Sequence, residues 1–198
     1  MLRRLVPLLV LALLAGSLGL LPTAAAADDG ATRVEGYAPY DGQTRCSPKA
    51  KPGAVAMRAW TVDRFGGRAG GISRACSKGV SEHKEGRAFD WTVTAKKKKD
   101  RLRVRKLLRT LFAEGPSGEA HELARRMGVM YVIWDDRMWA SYRGFEPSPY
   151  VSSGCNAKKL RKCSATLRHR DHVHVSLSRK GGRAKTSWYA TPEGRSYR

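Results

Sequence analysis

Residues 172–177 read His172-Val173-His174-Val175-Ser176-Leu177. Successive side chains of an extended chain point to opposite faces, so Val173, Val175 and Leu177 share one face of a strand and His172, His174 and Ser176 the other. Residues 87–93 alternate in the same way, with Phe89, Trp91 and Val93 on one side and Ala88, Asp90 and Thr92 on the other. Val129 to Trp134 is a nearly continuous apolar run bounded by Asp135-Asp136, which predicts a third strand, with a hairpin partner at Met138 to Tyr142.

Helical patterns lie between these strands. Pro52 at a first helical position, followed by Val55, Ala56, Ala59, Trp60 and Val62 and then Gly66-Gly67, predicts a helix ended by glycine. A second helix is expected from Asp100 as N-cap, with Leu107, Leu108, Leu111 and Phe112 on one face and Arg and Lys opposite. A third runs from about Gly118 to Met127 and stops at Gly128. Lys96 to Lys99 reads as a solvated loop. No internal repeat is present. The fold class that follows is α+β, a small and largely antiparallel sheet packed against helices.

Residues 1–27 have the form of an export signal: Arg3 and Arg4, an apolar run from Leu5 through Leu21, and small residues Ala24 to Ala27. Gly16, Ser17 and Gly19 interrupt the run, which argues for cleavage over a membrane anchor, and no later stretch approaches about 18 consecutive apolar residues. No stable membrane insertion is expected after cleavage. The remaining chain of about 170 residues suits one domain. Residues 28–51 read as an irregular arm, 52–178 as the domain and 179–198 as a basic tail, poorly ordered after Gly181. The formal net charge is +21, and losing Arg3 and Arg4 with the signal lowers it to +19. Such a field draws polyanions, with anionic wall polymers or stem-peptide carboxylates as candidates and nucleic acid as the other. In an oxidising compartment Cys46, Cys76, Cys155 and Cys163 are expected to form two disulfides. The short basic segment between Cys155 and Cys163 favours pairing these two and leaves Cys46 with Cys76. A four-cysteine zinc site would want C-x-x-C pairs, which are absent.

The chain has five histidines, and three fall within His169-Arg170-Asp171-His172-Val173-His174. Residues i and i+2 of a strand lie on one face with Cα atoms roughly 6.5 to 7 Å apart, so one imidazole can ligate a metal while the other sits beside its water. A second constellation is Ser81-Glu82-His83-Lys84-Glu85-Gly86-Arg87-Ala88-Phe89-Asp90-Trp91. There His83 sits in a turn, Gly86 lets the backbone fold back, and Asp90 enters a strand opposite Phe89 and Trp91. Two imidazoles and one carboxylate suit a borderline metal, and three protein ligands leave the fourth tetrahedral position for water.

His83-x6-Asp90 followed by His172-x-His174 resembles the signature of the zinc peptidases of the lysostaphin, D-Ala-D-Ala carboxypeptidase and Hedgehog group. Residues 81–88, Val132-Ile133-Trp134 and Asp171 to Val175 are also similar to a subfamily of secreted actinobacterial proteins. The resemblance spans about residues 52 to 178. It implies a Hedgehog- and D-Ala-D-Ala-peptidase-like fold, Zn2+ as cofactor and His83, Asp90 and His174 as its ligands. For the base it leaves two choices. Asp171 stands where carboxypeptidases carry Glu, and His169, His172 and His174 match the H-x-x-H-x-H of endopeptidases. Arg74, with Arg68 as competitor, stands where some members use an arginine on the scissile carbonyl. The implied activity is hydrolysis of a peptide bond in a peptidoglycan stem peptide or cross-bridge. Two other readings stay open, a non-catalytic cell-wall-binding module with the same fold and a secreted metal-dependent nuclease. The nuclease reading gives H-x6-D no task.

Overall fold

The computed structural model describes residues 33–198, so the signal expected at residues 1–27 lies outside the described residues. One six-stranded sheet with order β1-β2-β6-β3-β4-β5 carries the molecule, antiparallel at every pairing. The strands are β1 (Arg68–Ala69), β2 (Ala88–Thr92), β3 (Val129–Trp134), β4 (Arg137–Ala140), β5 (Pro147–Pro149) and β6 (Val173–Leu177). The fold class is therefore α+β, as the sequence predicts.

The two alternating stretches become neighbours. β2 and β6 pair with Phe89 opposite Val175, Asp90 opposite His174 and Trp91 opposite Val173. Because opposed residues of paired strands share a face, this register stacks apolar with apolar and polar with polar. β3, on the other flank of β6, has Val132 opposite Val175 and Ile133 opposite His174. Its register shifts between Val129 and Tyr131. The irregularity lets Val129 and Val132, an odd number of residues apart, both join the main core, while Met130, Tyr131 and Ile133 form a smaller cluster with Ala140.

Helices α1 (Pro52–Phe65) and α2 (Lys98–Phe112) cover the apolar face of the sheet. Met57, Trp60, Leu107 and Leu111 pack with Phe89, Trp91, Val173 and Val175 in one core. α1 starts at Pro52 and its C-cap is Gly66, whose N–H donates to Val62 O at 2.8 Å. Asp100 is not the N-cap of α2. Lys97 holds that position, and Asp100 sits in the first turn, where it accepts from Thr94 N (3.1 Å) and pairs with Arg103 (2.7 Å). A carboxylate there still complements the positive end of the helix. Lys96 and Lys97 are exposed in the preceding turn, whereas Lys98 and Lys99 begin the helix. α3 (Glu122–Arg126) is shorter than expected, the residues from Gly118 onward being spent on turns. The partner of β3 ends at Ala140 and passes into a 3-10 turn, Ser141–Arg143.

Residues 33–51 have no regular secondary structure and lie against the rest of the described chain. Glu35 accepts from Ser187 N at 2.7 Å, Tyr37 OH meets His121 Nδ1 at 2.8 Å, and the Cys46–Cys76 disulfide anchors the far end. The second disulfide is Cys155–Cys163, so both favoured pairings are present. Among the described residues no helix is long and apolar enough to cross a membrane.

The expectation of a poorly ordered segment after Gly181 is corrected. α4 (Arg179–Gly182), a 3-10 turn (Ser187–Ala190) and α5 (Pro192–Ser196) follow β6, and Trp188 and Tyr189 enter the main core. Trp188 is 2% exposed, its ring meets Trp60 edge-on at 6.1 Å, and Glu193 accepts from Trp60 Nε1 at 2.9 Å. Two aromatic side chains buried on this scale outweigh the solubility of the surrounding basic residues. Trp188→Ala is therefore expected to cost about 3–5 kcal/mol in chemical denaturation. A loss below about 1 kcal/mol, typical of surface changes, would contradict the packing.

Candidate metal centre

The polar face of the β2–β6 pair is where the sequence-predicted site assembles. Residues Glu82–Glu85 form a 3-10 turn ended by Gly86, whose φ of 65° is left-handed. A Cβ on Gly86 would collide with the Lys49 carbonyl, so only glycine lets the chain turn back into β2 here. The turn brings His83 over the sheet beside Asp90 and His174. The distances are 3.1 Å from His83 Nε2 to His174 Nδ1, 3.3 Å from His83 Nε2 to Asp90 Oδ1, and 3.3 Å from His174 Nδ1 to Asp90 Oδ1.

Neighbouring groups decide which ring nitrogens face inward. His83 Nδ1 lies 2.8 Å from Ile72 O, and a carbonyl only accepts, so Nδ1 carries the proton and Nε2 presents its lone pair. His174 Nε2 lies 2.8 Å from Ser176 Oγ, which itself donates to Glu82 Oε2 at 3.4 Å. Ser176 thus accepts from His174 Nε2–H, and His174 Nδ1 is left as the free donor atom. Glu82 is buried and also accepts from Tyr131 OH, while Tyr131 stacks on His174 with ring centres 5.6 Å apart.

Burial alone would raise the Asp90 carboxyl, but His174 and His83, which donate to it whenever an inner nitrogen carries a proton in place of a metal ion, outweigh burial and hold it far below the usual carboxylate range. Burial pushes the His174 imidazole down, toward the neutral form that a ligand needs. Two imidazole lone pairs and a carboxylate oxygen facing one another repel unless a proton or cation lies among them. For a tetrahedral ion with bonds of about 2.0–2.1 Å, ligand atoms stand about 3.3 Å apart. The three separations fit that figure, so His83, Asp90 and His174 form a group that can hold a metal ion.

Access to the triad is from the side of Asp90, the most exposed of the three. His172 lines that side, with Nε2 3.7 Å from Asp90 Oδ1. Its Nδ1 meets Asp171 Oδ1 at 2.7 Å, and Asp171 Oδ2 accepts from Thr166 Oγ1 at 2.6 Å. Burial would raise Asp171, yet the Thr166 and His172 hydrogen bonds hold it below its usual range. The His169 ring lies tilted 4.7 Å from that of His172 and edge-on 5.8 Å from that of His174. Its Nδ1 is buried without a hydrogen-bond partner, and burial followed by repulsion from His174 and His172 pushes its imidazole down to about 3.

The structure therefore brings His83, Asp90, His174, His172 and His169 together, with Asp171 behind His172. Arg74 stands apart. Its N–H donates to His83 O (3.2 Å), but its guanidinium is exposed and reaches Ser81 Oγ at 3.4 Å. Arg68 is exposed on the edge strand β1. Sequence reasoning missed the supports: Ile72 O, Ser176, Glu82 and Tyr131. Ser176 was visible on the His174 face two residues on, and Glu82 adjoins His83, but nothing in their spacing ties either to an imidazole. Lys84 was also missed. It is buried and donates from Nζ to the carbonyls of Ser77 (2.5 Å), Lys78 (2.9 Å) and Gly79 (2.6 Å), pinning the loop that precedes the turn.

The family model described as VldE, C-terminal domain, matches residues 46–158, more than half of the chain. The chain belongs to that family. The family match starts at the first disulfide cysteine and includes His83 and Asp90, while His169 to His174 lie beyond it. No curated protein and no solved structure matches the chain.

His83→Ala, Asp90→Ala and His174→Ala are each expected to lose stoichiometric metal on elemental analysis, and Ser176→Ala to weaken metal affinity by about 10–100-fold. Full occupancy in any of the three ligand variants would contradict the assignment.

Proposed function

We propose that the chain is an exported zinc-dependent peptidase acting on peptidoglycan stem peptides or cross-bridges. The observation that carries the reading is the triad with His172 at its open side, 3.7 Å from Asp90 Oδ1. Two imidazoles and one carboxylate suit zinc, and three ligands leave one tetrahedral position free. When bound there, zinc would acidify water and polarise a substrate carbonyl.

The chain's own residues divide the remaining work. His172 takes the proton at Nε2 and returns it to the leaving amine. Asp171 orients His172 through Nδ1 and stabilises it when charged, with Thr166 fixing the carboxylate in turn. This assignment prefers His172 to Asp171 as the base, since the Asp171 oxygens are taken up by His172 and Thr166. His169 closes the floor beside His172 as a neutral imidazole. Arg74 is left without a task on the carbonyl.

The two disulfides support an oxidising, extracellular compartment, and the resemblance of H-x6-D and H-x-H to the lysostaphin and D-Ala-D-Ala peptidases supports the peptide substrate. The Hedgehog-like fold and the cell-wall location rest on the same resemblance. The alternative from another class is a wall-binding module that keeps the metal without turnover.

Digestion of muropeptides, with chelation and zinc restoration as controls, tests the reading. Turnover that chelator abolishes and zinc restores is expected, and zinc-loaded protein without turnover would favour the binding module. His172→Ala is expected to lose about 10²–10⁴-fold in rate while keeping zinc. Asp171→Asn should keep zinc and a sizeable share of the rate. A larger loss in Asp171→Asn than in His172→Ala would return the role of base to Asp171.

A further inference from the structure

One cavity lies away from the triad. It has a volume of about 640 Å³ and is walled by Thr44, Arg45 and Ser47 of the arm, Lys51 at the start of α1, and Arg179 and Arg183 near α4. Glu85 and Arg87 form its floor.

The charges in it do not balance. Arg87 is buried and spends its guanidinium on Glu85 (2.7 Å) and on Leu177 O (2.6 Å). Arg179 pairs with Asp41 and reaches Gly42 O (3.0 Å), Thr44 Oγ1 (3.0 Å) and Glu85 Oε1 (3.4 Å). Glu85 also accepts from Thr44 N (3.0 Å) and Arg45 N (3.2 Å), which fixes the arm against the wall. Arg45, Lys51 and Arg183 remain. Their polar contacts are to neutral groups, Lys51 Nζ to Ser47 Oγ (3.3 Å) and Arg183 Nε to Arg179 O (3.3 Å). Among the described residues no carboxylate lies within ion-pair reach of these three.

Three uncompensated cations from three separate parts of the chain thus converge on one concavity. Arg45 and Arg183 are exposed and Lys51 half-buried, yet folding three segments together holds their like charges around one concavity, a field that favours an anion there. Arginine forks and hydroxyl groups suit oxyanions, phosphate above all, and three positive charges match a phosphate group better than one carboxylate. The cavity also has room for what the phosphate is attached to.

We propose that this cavity binds a phosphate group, carried by a small ester or by a phosphodiester polymer. The site is separate from the triad and does not depend on whether the triad hydrolyses peptides.

Calorimetric titration with glycerol 3-phosphate and with a poly(glycerol phosphate) chain tests it, on three forms of the full chain. These are the wild type, Arg45→Gln/Arg183→Gln, and Lys98→Gln/Lys99→Gln, which removes the same charge from the exposed first turn of α2. The cavity variant is expected to bind about tenfold more weakly or worse, the α2 variant within about twofold of wild type. Tighter binding of the polymer than of the ester, with the same dependence on Arg45 and Arg183, supports the site and identifies a polymer as the source; equal binding supports it and identifies a free ester. Equal weakening in both double variants would show a diffuse surface field and overturn the proposal, as would no binding by the wild type at millimolar ester or at polymer of the same phosphate content. Should the double variant unfold, Arg183→Gln alone carries the same comparison against Lys98→Gln.

Discussion

The pairing of Asp90 with His174 across β2 and β6 is the constraint on which the rest depends. A slip of one residue would turn Asp90 and His174 into the core and push Phe89 or Val175 out to the polar face. The apolar side of the same two strands therefore holds the register that the polar side uses. Phe89, Trp91, Val173 and Val175 lie against α1 and α2, and their burial fixes the two ligands to within the spacing of one ion. His83, which is not on the sheet, is brought to them by the left-handed turn at Gly86 and by the Lys84 ammonium that grips the loop before it.

A second layer makes the triad specific. Ile72 O and Ser176 Oγ each engage the outer nitrogen of one imidazole, so the inner nitrogens both present lone pairs. Glu82 stands behind Ser176 and Tyr131, and its other oxygen is 3.9 Å from Arg87. Arg87 in turn joins Glu85 and the floor of the cationic cavity. A set of buried polar groups therefore runs beneath both the metal centre and the cavity, hydrogen-bonded along its length except at Glu82 Oε1, which meets Arg87 only as an ion pair at 3.9 Å.

Much of this was legible in the sequence because strands and ligand spacing share the simplest period. Alternation gave the faces of β2 and β6, and the resemblance carried by the ordered H-x6-D and H-x-H implied the triad. What stayed hidden depended on partners far along the chain. The resemblance offered Asp171 or a histidine as base, but spacing does not say what a carboxylate touches, and the Asp171 oxygens meet Thr166 Oγ1 and His172 Nδ1. Asp100 had the residue type of an N-cap, yet the loop at Thr94 claimed its carboxylate one turn deeper. Trp188 and Tyr189 sit in a basic, glycine-rich stretch that has no period, so only the packed structure shows them in the core. The cationic cavity was invisible for the same reason, since Arg45, Lys51 and Arg183 come from three segments and only the net charge of +21 hinted at it.

The central claim is that two imidazoles and one carboxylate hold a four-coordinate ion. X-ray absorption spectroscopy of the zinc-loaded protein tests this most directly. The expected result is four nitrogen or oxygen neighbours at about 2.0–2.1 Å with the multiple scattering of two imidazole rings, lost in Asp90→Ala or His174→Ala. A six-coordinate oxygen shell without imidazole scattering, unchanged by either substitution, would place the metal elsewhere and contradict the account.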